Sequence, residues 1–371
     1  MTGASRIARA ATGAYHPLMR LPSVLLLAAA LPVLPVSTAS AGAVDGTLDL
    51  YWIDSEGGGS TLVVTPAGES VLIDSGNPGG RDSGRIHAVA TKAARIRQID
   101  HYITTHFHVD HFGGAAELAA LMPVVHVWDN GLPDADPDGN KTSTWPLTSK
   151  AYRTMPVKER HVVKPGVTLP LKSSGRPLEL RCLIARQERW EPKSKEFKAW
   201  TNEGLPSAKP VDTSDNANSS AWTLTFGGFR FYDGGDLTWN VEAKLVWPMP
   251  MVPGVDIYQV THHGLDVSNH PLLLRALNPT VSVMNNGPTK GAMGEVFQTL
   301  RGLSTLQAQY QVHKNVRPDG ATNNCPDEFI ANKEAKCSGN FIHCRVAADG
   351  MSYTIDIPAT GHTKTYVTRA K

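Results

Sequence analysis

Short runs of alternating apolar and polar residues follow one another along most of the chain, which predicts many β-strands and few long helices. Near the start, three runs separated by turn-forming residues predict an antiparallel meander over 47–54, 61–65 and 70–74. Later runs predict strands over 99–105, 124–128, 162–171, 178–184, 221–226, 229–232, 255–260 and 280–284. Gly227-Gly228 predicts a hairpin turn between two of them, and 341–367 predicts a terminal hairpin around Asp349-Gly350.

Helical spacing of apolar residues occurs in three segments, namely 84–96, 115–122 and 291–300. Residues 129–145 are rich in Asp, Gly, Asn and Pro and predict a surface loop. The polar segment 186–214 contains Trp190 and Trp200 and predicts an insertion or flap near a functional site. Strands that alternate with occasional helices predict a single α/β domain.

The N-terminal segment 1–41 has the anatomy of a secretory signal peptide. A basic region ends at Arg20, an apolar stretch surrounds Leu25–Leu31, and Ala39-Ser40-Ala41 forms a cleavage pattern. Prolines interrupt the apolar stretch, so a membrane anchor is the weaker interpretation. We expect a periplasmic or secreted protein with one domain over 42–371, comprising a core at about 47–300 and an extension over 301–371, and no membrane association after cleavage.

Charge and composition narrow the classes of partner. The chain has 371 residues, of which 41% are hydrophobic and 19% charged, as in globular proteins. Its formal net charge is +2, but the signal segment holds three arginines and no acid, so the remainder is −1. A near-neutral body has no general attraction for nucleic acid. We expect no stable nucleic-acid complex; the oligomeric state stays open.

Four cysteines raise the question of disulfides in an exported protein. An even number predicts up to two bridges, and four cysteines allow three pairings. Cys325–Cys337 is preferred because this bridge would close a short polar loop. The residues are Cys182, Cys325, Cys337 and Cys344.

The densest chemistry in the chain is the sequence H-x-H-x-D-H, formed by His106, His108, Asp110 and His111. It lies between a predicted strand and a predicted helix, where rigid elements can hold ligands on a tight turn. Imidazole and carboxylate are ligands that Zn²⁺ takes at about 2.0–2.2 Å. Four such side chains within six residues have little purpose in packing, so the motif predicts a metal site.

More distant residues supply partners for this motif at the ends of predicted strands. Asp236 follows Gly235, which permits close approach, and it suits the bridging position that two metals about 3.5–4 Å apart require. His263 follows the strand at 255–260 and completes the ligand set. His262 is either its partner or a donor to the substrate.

Together with Gly235-Asp236 and His262-His263-Gly264, the motif resembles the metallo-β-lactamase superfamily of metallohydrolases. Residues 71–76 and Asn218-Ser219-Ser220 resemble its competence-type branch, which comprises the soluble domain of bacterial DNA-uptake channels and stand-alone relatives. The resemblance covers about 47–300 and implies a four-layer αββα sandwich with one or two zinc ions, manganese and iron remaining open.

The resemblance also implies a distribution of ligands over two metals. His106 and His108 would bind the first metal, Asp110, His111 and His263 the second, and Asp236 both. Many members place a third histidine on the first metal in a loop that corresponds to 215–220 here, but this loop has no histidine. Asp215, Asn216 or water would fill the position.

These features predict an exported hydrolase in which a metal-bound hydroxide attacks phosphorus or a carbonyl carbon. Asp110 or Asp236 would orient the hydroxide, and His262 would stabilise the leaving group or oxyanion, as would the amide of Asn286 or Asn218.

The competence-type resemblance implies a phosphodiester substrate, and we expect a small-molecule or phosphodiester partner. Hydrolysis of a lactam or lactone is the alternative, and a non-catalytic metal-containing binding protein is the alternative of another class. Basic residues of the insertions would either form a rim for phosphate or simply be solvated: Lys141, Lys150, Arg153, Lys158, Lys193, Lys195 and Lys198.

Overall fold

The structure is a computed structural model that describes residues 41–43, 45–172, 175–191 and 204–369. The predicted signal peptide lies outside the described residues except for Ala41, and so does the central part of the predicted flap, including Trp200. Among the helices of the described ranges, none is both long enough and apolar enough to cross a membrane.

The first half of the chain begins with a meander and continues with strands joined by helices. Its elements are β1 (Leu48–Trp52), β2 (Thr61–Val64), β3 (Ser70–Ile73), α1 (Arg81–Ala88), β4 (Ile99–Ile103), α2 (Val109–Phe112), α3 (Ala115–Leu121), β5 (Val124–Asp129), α4 (Trp145–Thr154) and β6 (Glu159–Val162). Strands β1, β2 and β3 are antiparallel, as predicted, and β3 to β6 are parallel neighbours. The parallel strands require crossovers, which α1, α3 and α4 supply.

The second half adds the elements of another sheet and three terminal strands. They are β7 (Leu178–Ala185), β8 (Glu188–Arg189), β9 (Ala221–Phe226), β10 (Phe229–Asp233), α5 (Trp239–Glu242), β11 (Ile257–Gln259), α6 (Pro271–Leu277), β12 (Val281–Met284), α7 (Gly294–Arg301), β13 (Ala308–His313), β14 (Ile330–Asn332), β15 (Ile342–Val346), β16 (Ser352–Ile357) and β17 (His362–Val367). The predicted hairpin at Gly227-Gly228 joins β9 to β10.

Two sheets account for these strands within the described ranges. The first has the order β17-β16-β15-β1-β2-β3-β4-β5-β6, and the second has the order β14-β13-β12-β11-β10-β9-β7-β8. Because β15 pairs antiparallel with β1, the C-terminal strands extend the sheet with which the described domain begins. The segment predicted as a terminal hairpin therefore forms three strands instead of two.

Three hydrophobic clusters lie between four layers, which are one helical layer, the two sheets and a second helical layer. The largest lies between the sheets, where Trp52 of β1 meets Phe231 of β10 edge to face at 5.8 Å. A second cluster joins the outer face of the first sheet to α1, α3 and α4, and a third joins the second sheet to α6 and α7. Removing both faces of each sheet from water supplies the main driving force for this arrangement. The αββα sandwich is thus confirmed.

Two local predictions are wrong. Residues 162–171 do not form one strand: β6 ends at Val162, and only Thr168 makes a bridge, to Arg181. Pro165 and Pro170 lack the N–H groups that a continuous strand would need. In addition, α4 follows the loop at 129–145 without having been predicted.

The preferred disulfide Cys325–Cys337 is not formed, since all four cysteines are free thiols. Cys325 is buried, and its backbone N–H donates to Gln311. The Cys337 thiol instead lies 3.0 Å from Oδ2 of Asp54. Cys182 and Cys344 are buried within the core between the sheets.

His343 of β15 provides a pH-dependent contribution to stability. Its ring lies 2.7 Å from Asp49 and 3.0 Å from Asp356. Burial alone would lower the pKa of His343, but hydrogen bonds to the two carboxylates raise it above its ordinary value of 6.5. The stabilisation is therefore complete below about pH 6.5 and is lost as pH rises through the folded-state pKa.

The variant His343→Gln is expected to lower the free energy of unfolding by about 1–3 kcal/mol at pH 6 and by less at pH 9, because it removes charge-assisted hydrogen bonds. Urea unfolding at both pH values measures the difference. Asp356→Asn, which removes one of the two negative charges beside His343, should show part of the same pH dependence. An equal loss at pH 6 and pH 9 for His343→Gln would contradict the prediction.

Candidate metal centre

The predicted ligands lie where strands of both sheets end. The motif His106–His111 follows β4, Asp236 follows β10, and His262 and His263 follow β11. Gly235 has a positive φ of 52°, and a Cβ there would come within 2.8 Å of Thr105. Only glycine fits this position, so it allows the chain after β10 to approach the motif closely.

Four of the predicted ligands converge on one point: Asp110, His111, Asp236 and His263. Oδ2 of Asp236 lies 3.1 Å from Nε2 of His111 and 3.2 Å from Nε2 of His263. Oδ2 of Asp110 lies 3.5 Å and 3.4 Å from the same two nitrogens. Ligands at about 2.0–2.2 Å from a tetrahedral ion are separated by roughly 3.3–3.6 Å, so this set fits one cation.

The hydrogen bonds of the two histidines fix which nitrogen faces the centre. Nδ1 of His263 donates to the backbone carbonyl of Asn285 at 2.9 Å, and Nδ1 of His111 donates to Asp74 at 2.6 Å. Both Nε2 atoms then face each other at 3.2 Å. Burial alone would lower the pKa of His111, but the carboxylates of Asp236, Asp74 and Asp110 raise it well above its usual value. The two nitrogens therefore require a positive charge between them, either a proton or a metal ion in its place.

His106 carries an unpaired nitrogen toward the same centre. Thr105 donates its hydroxyl proton to Asp74 at 2.7 Å, so its oxygen accepts from Nδ1 of His106 at 3.1 Å. The Nε2 atom of His106 is fully buried and has no hydrogen-bond partner among the described residues. It lies 4.0 Å from Oδ2 of Asp236. A buried lone pair without a partner is the arrangement expected of a metal ligand.

Asp74 is a functional residue that the sequence pattern did not identify. Its carboxylate binds His111 directly and His106 through Thr105, and so it holds both rings in the tautomer that exposes Nε2. Carboxylates that orient metal-binding histidines affect affinity strongly. Asp74 follows β3 with a positive φ of 61°, so the Asp74-Ser75-Gly76 turn was the available signal.

Replacing Asp74 with Asn is expected to weaken metal binding roughly tenfold. The neutral amide is a poorer acceptor for its two donors, Nδ1 of His111 and the hydroxyl of Thr105, so both histidine rings are oriented less firmly. A competition titration with a chromogenic chelator measures the change. Asp82→Asn is a suitable control, since Asp82 is also buried but accepts from Asn77 and Arg81 instead. Equal metal affinity in Asp74→Asn and wild type would contradict this role.

His108 departs from the other motif residues. Its Nε2 lies 2.8 Å from Oδ2 of Asp138, and it is not part of the converging set. Its ring remains beside that of His106, with centroids 4.7 Å apart. Asp138 also accepts from the backbone N–H of Asp215 at 2.8 Å, so it links the motif to the loop that lacks the third histidine.

The side chains considered as substitutes for that histidine have other contacts. Oδ2 of Asp215 accepts from the backbone N–H of Phe107 at 2.7 Å, and Oδ1 accepts from Asn218 at 3.0 Å. Asp215 therefore holds the motif loop in place. The Oδ1 atom of Asn216 is buried without a partner among the described residues, and its Nδ2 lies 3.4 Å from His262. Of the two side chains, Asn216 keeps an oxygen free.

His262 lies at the edge of the centre. Its Nε2 is 3.4 Å from Oδ2 of Asp236, and its Nδ1 is 3.0 Å from the hydroxyl of Ser268. Both His262 and His263 have positive φ values, 54° and 56°, which cost about 1–3 kcal/mol each and are typical of functional sites. Burial lowers the pKa of His262 to about 4, so its ring is neutral near pH 7.

The amides of Asn286 and Asn218, considered as donors to an oxyanion, are engaged elsewhere. Asn286 donates to the carbonyls of Gly287 and His313, and Asn218 donates to Asp215. Lys290 is the donor that the pattern did not reveal. Its ammonium donates to Oδ2 of Asp110 at 2.5 Å, and its side chain is 39% exposed.

Electrostatics at the centre follow from burial and from the close charges. Burial alone would raise the pKa of Asp236, but the rings of His111, His262 and His263 hold it well below its usual range. Burial and the neighbouring His111 lower the pKa of His106 well below its usual value. The centre thus combines ionised carboxylates with a neutral imidazole at His106, which is the protonation state that metal ligands require.

Comparison with known families agrees with this geometry. Residues 54–148, which include the whole His106–His111 motif, match the sequence model of the metallo-beta-lactamase superfamily. Over this segment, about a quarter of its length, the chain is similar to that superfamily. The two sheets, the outer helices and the converging ligands agree with this similarity.

The glycine run Gly57-Gly58-Gly59, which precedes β2, also contacts the metal centre: the N–H of Gly59 donates to the carbonyl of Asp110 at 3.0 Å.

Solved structures of similar metalloproteins are distant in sequence. Igni18, a metallo hydrolase from Ignicoccus hospitalis, is 12% identical with a TM-score of 0.39, covering 71% of this chain and 94% of that one. CmlA, a diiron β-hydroxylase from Streptomyces venezuelae, is 16% identical with a TM-score of 0.37, covering 64% of this chain and 44% of that one. A search of curated proteins finds no match. None of these comparisons assigns a substrate to this chain.

Proposed function

We propose that the protein is a metal-dependent hydrolase with a zinc centre held by Asp110, His111, Asp236 and His263. The observation that carries the proposal is the pair of imidazole nitrogens facing each other at 3.2 Å beside two carboxylates. A zinc ion held there would act as a Lewis acid and, with a water as a further ligand beyond the four side chains, would lower the pKa of that water toward neutrality. The Nε2 atom of His106, unpaired among the described residues, would be available as a ligand for a second ion.

The side chains around the centre have distinct tasks in hydrolysis. Asp236 and Asp110 are ionised acceptors that orient the attacking water. His262 is neutral and donates a hydrogen bond from Nε2 to the leaving group or oxyanion, without giving up its proton. The leaving group takes its proton from solvent water.

A cleft beside the centre supports a small substrate. It has a volume of about 300 Å³ and is bordered by His108 and Asp110. An adjoining depression shares four lining residues with the cleft, namely Asp136, Asn140, Ser143 and Trp145. Its lining also includes three basic side chains, Lys141, Lys150 and Arg153. Basic side chains in a depression that adjoins the cleft favour a phosphodiester. We therefore propose a small phosphodiester as substrate and, given the signal-like segment at 1–41, action outside the cytoplasm.

One observation favours a second candidate, an uncharged lactam or lactone. The walls of the cleft combine the rings of Phe107, Phe112 and Trp145 with the carboxylates of Asp136 and Asp138. Aromatic walls suit a compact ring, and carboxylates repel an additional anionic group on the substrate.

The test is metal analysis of purified protein, followed by assays with bis-p-nitrophenyl phosphate, nitrocefin and a homoserine lactone. Metal-dependent turnover of the phosphate ester, lost in Asp236→Asn, is expected. Turnover of only the lactam or lactone would replace the substrate proposal with the second candidate. Stoichiometric metal without turnover of any of the three would contradict a hydrolase and favour a metal-containing binding protein.

A further inference from the structure

A second group of ligand-type side chains lies outside the metal centre. Asp54 follows β1, His313 is the last residue of β13, and Cys337 follows β14. One potential ligand atom from each lies within 4.8 Å of those of the other two. The three residues come from distant parts of the sequence, so only the fold brings them together.

His313 directs an unpaired nitrogen into this group. Its side chain is fully buried, and Nδ1 donates to the carbonyl of Lys314 at 3.1 Å. The neutral ring therefore carries a lone pair on Nε2, which has no hydrogen-bond partner among the described residues. Leaving such an acceptor buried and unpaired costs about 1–3 kcal/mol, so a partner for this atom is expected.

Asp54 and Cys337 complete a donor set of mixed type. The thiol of Cys337 donates to Oδ2 of Asp54 at 3.0 Å, while Oδ1 of Asp54 accepts from the backbone N–H of Glu56 at 2.9 Å. Asp54 is fully buried, and Cys337 is partly exposed, so solvent can reach the group from the side of the sulfur. Nitrogen, sulfur and oxygen are the three ligand types that zinc accepts.

The charges nearby suit a divalent cation. Thiolate and carboxylate together neutralise its two positive charges. Arg85 lies 3.2 Å from Asp54 and is itself paired with Glu56 at 3.1 Å, so the guanidinium adds no net charge to the group. Arg85 also lies 3.7 Å from the sulfur of Cys337.

We propose that Asp54, His313 and Cys337 bind a thiophilic divalent cation, Zn²⁺ in the first instance, with water as the fourth ligand. On binding, the cation forms a bond to sulfur and the Cys337 thiol proton leaves to solvent. Such an ion joins the ends of β1 and β13 to the segment after β14. It also supports the metal centre indirectly, because Asn286 donates to the carbonyl of His313 at 2.6 Å and the adjacent Asn285 accepts from His263.

Cobalt(II) substitution tests this site separately from the metal centre, whose ligands include no cysteine. Dialysed, full-length protein titrated with Co²⁺ is expected to show the near-ultraviolet absorption of a thiolate-to-cobalt bond. Cys337→Ser should lose this band completely, and His313→Gln should weaken it. Cys325→Ser, which alters another buried thiol, and Asp236→Asn, which alters the metal centre, should both retain it.

Two results would overturn the proposal: no band in the wild-type protein, or a band that persists in Cys337→Ser. If a band that persisted in Cys337→Ser disappeared in Cys325→Ser, the bound thiolate would be that of Cys325 instead. Cys337→Ser changes a single atom at a partly exposed position, so it provides a decisive variant even if His313→Gln does not fold. The cobalt band needs no hydrolytic activity, so failure of the proposed hydrolase function leaves this test intact.

Discussion

Replacing Asp236 with Asn is expected to remove most of the bound metal and to lower kcat/KM by about 10³-fold or more. Oδ2 of Asp236 lies within 3.4 Å of three imidazole nitrogens, those of His111, His262 and His263. Asn keeps the shape but removes the negative charge. Losing one partner of a buried charged group costs about 3–5 kcal/mol, which corresponds to roughly 10²–10⁴ in an equilibrium or rate constant. Elemental analysis and hydrolysis of the active substrate measure both effects.

Asp233→Asn is the matched control for this experiment. Asp233 is also buried and lies on β10 just before Asp236, but among the residues that the structure describes only its Oδ1 has a hydrogen-bond partner, the N–H of Gly235 at 2.9 Å. Asn can accept the same hydrogen bond, so metal content and kcat/KM should stay within a few-fold of wild type. If both variants lost metal equally, general damage to the turn and not the Asp236 carboxylate would be responsible.

The metal centre could be predicted from sequence where its ligands are local or follow strands. His106 to His111 are six consecutive residues, so their proximity needs no knowledge of the fold. Asp236 and His263 were identifiable because each follows a short apolar run, and strand ends of an α/β protein meet at one edge. Strand runs and turn residues predicted a single α/β domain, whereas the αββα arrangement was an implication of the family resemblance carried by the motifs.

Other contributors could not be found because their roles depend on side-chain contacts across the fold. Asp74 acts on His111 from 37 residues away, and Lys290 reaches Asp110 across 180 residues. The loop at 215–220 shows the converse problem. Asp215 has the chemistry of a ligand, but its carboxylate is used to hold the backbone of Phe107. Residue type predicts what a side chain can bind, whereas only packing decides which partner it meets.

The misplaced elements have a related cause. Residues 162–171 are apolar enough for a strand, but the two prolines among them cannot donate to a neighbouring strand. The C-terminal strands were predicted as an isolated hairpin because nothing in their pattern indicates pairing of β15 with β1, nearly 300 residues earlier. Long-range pairing of this kind is decided by the completed sheet and not by local sequence.

Replacing Lys290 with Met is expected to change metal affinity and activity in opposite directions. The ammonium of Lys290 lies 2.5 Å from Oδ2 of Asp110, so it competes with a metal ion for this carboxylate. Two cations about 4 Å apart repel each other by several kcal/mol at an effective dielectric constant of about 20. Without Lys290, the metal should bind roughly tenfold more tightly, as measured by chelator competition.

The activity of Lys290→Met should fall in spite of tighter metal binding. When a metal ion neutralises Asp110, the partly exposed ammonium becomes available to an anionic oxygen of the substrate, and loss of such a donor costs about 10²-fold in kcat. Lys290→Arg keeps the charge and should remain near wild type in metal affinity. A purely structural role would lower metal affinity and activity together in Lys290→Met. Only a residue that first shields the carboxylate and then binds the substrate separates the two measurements, and a phosphodiester should reveal the loss more strongly than an uncharged lactone.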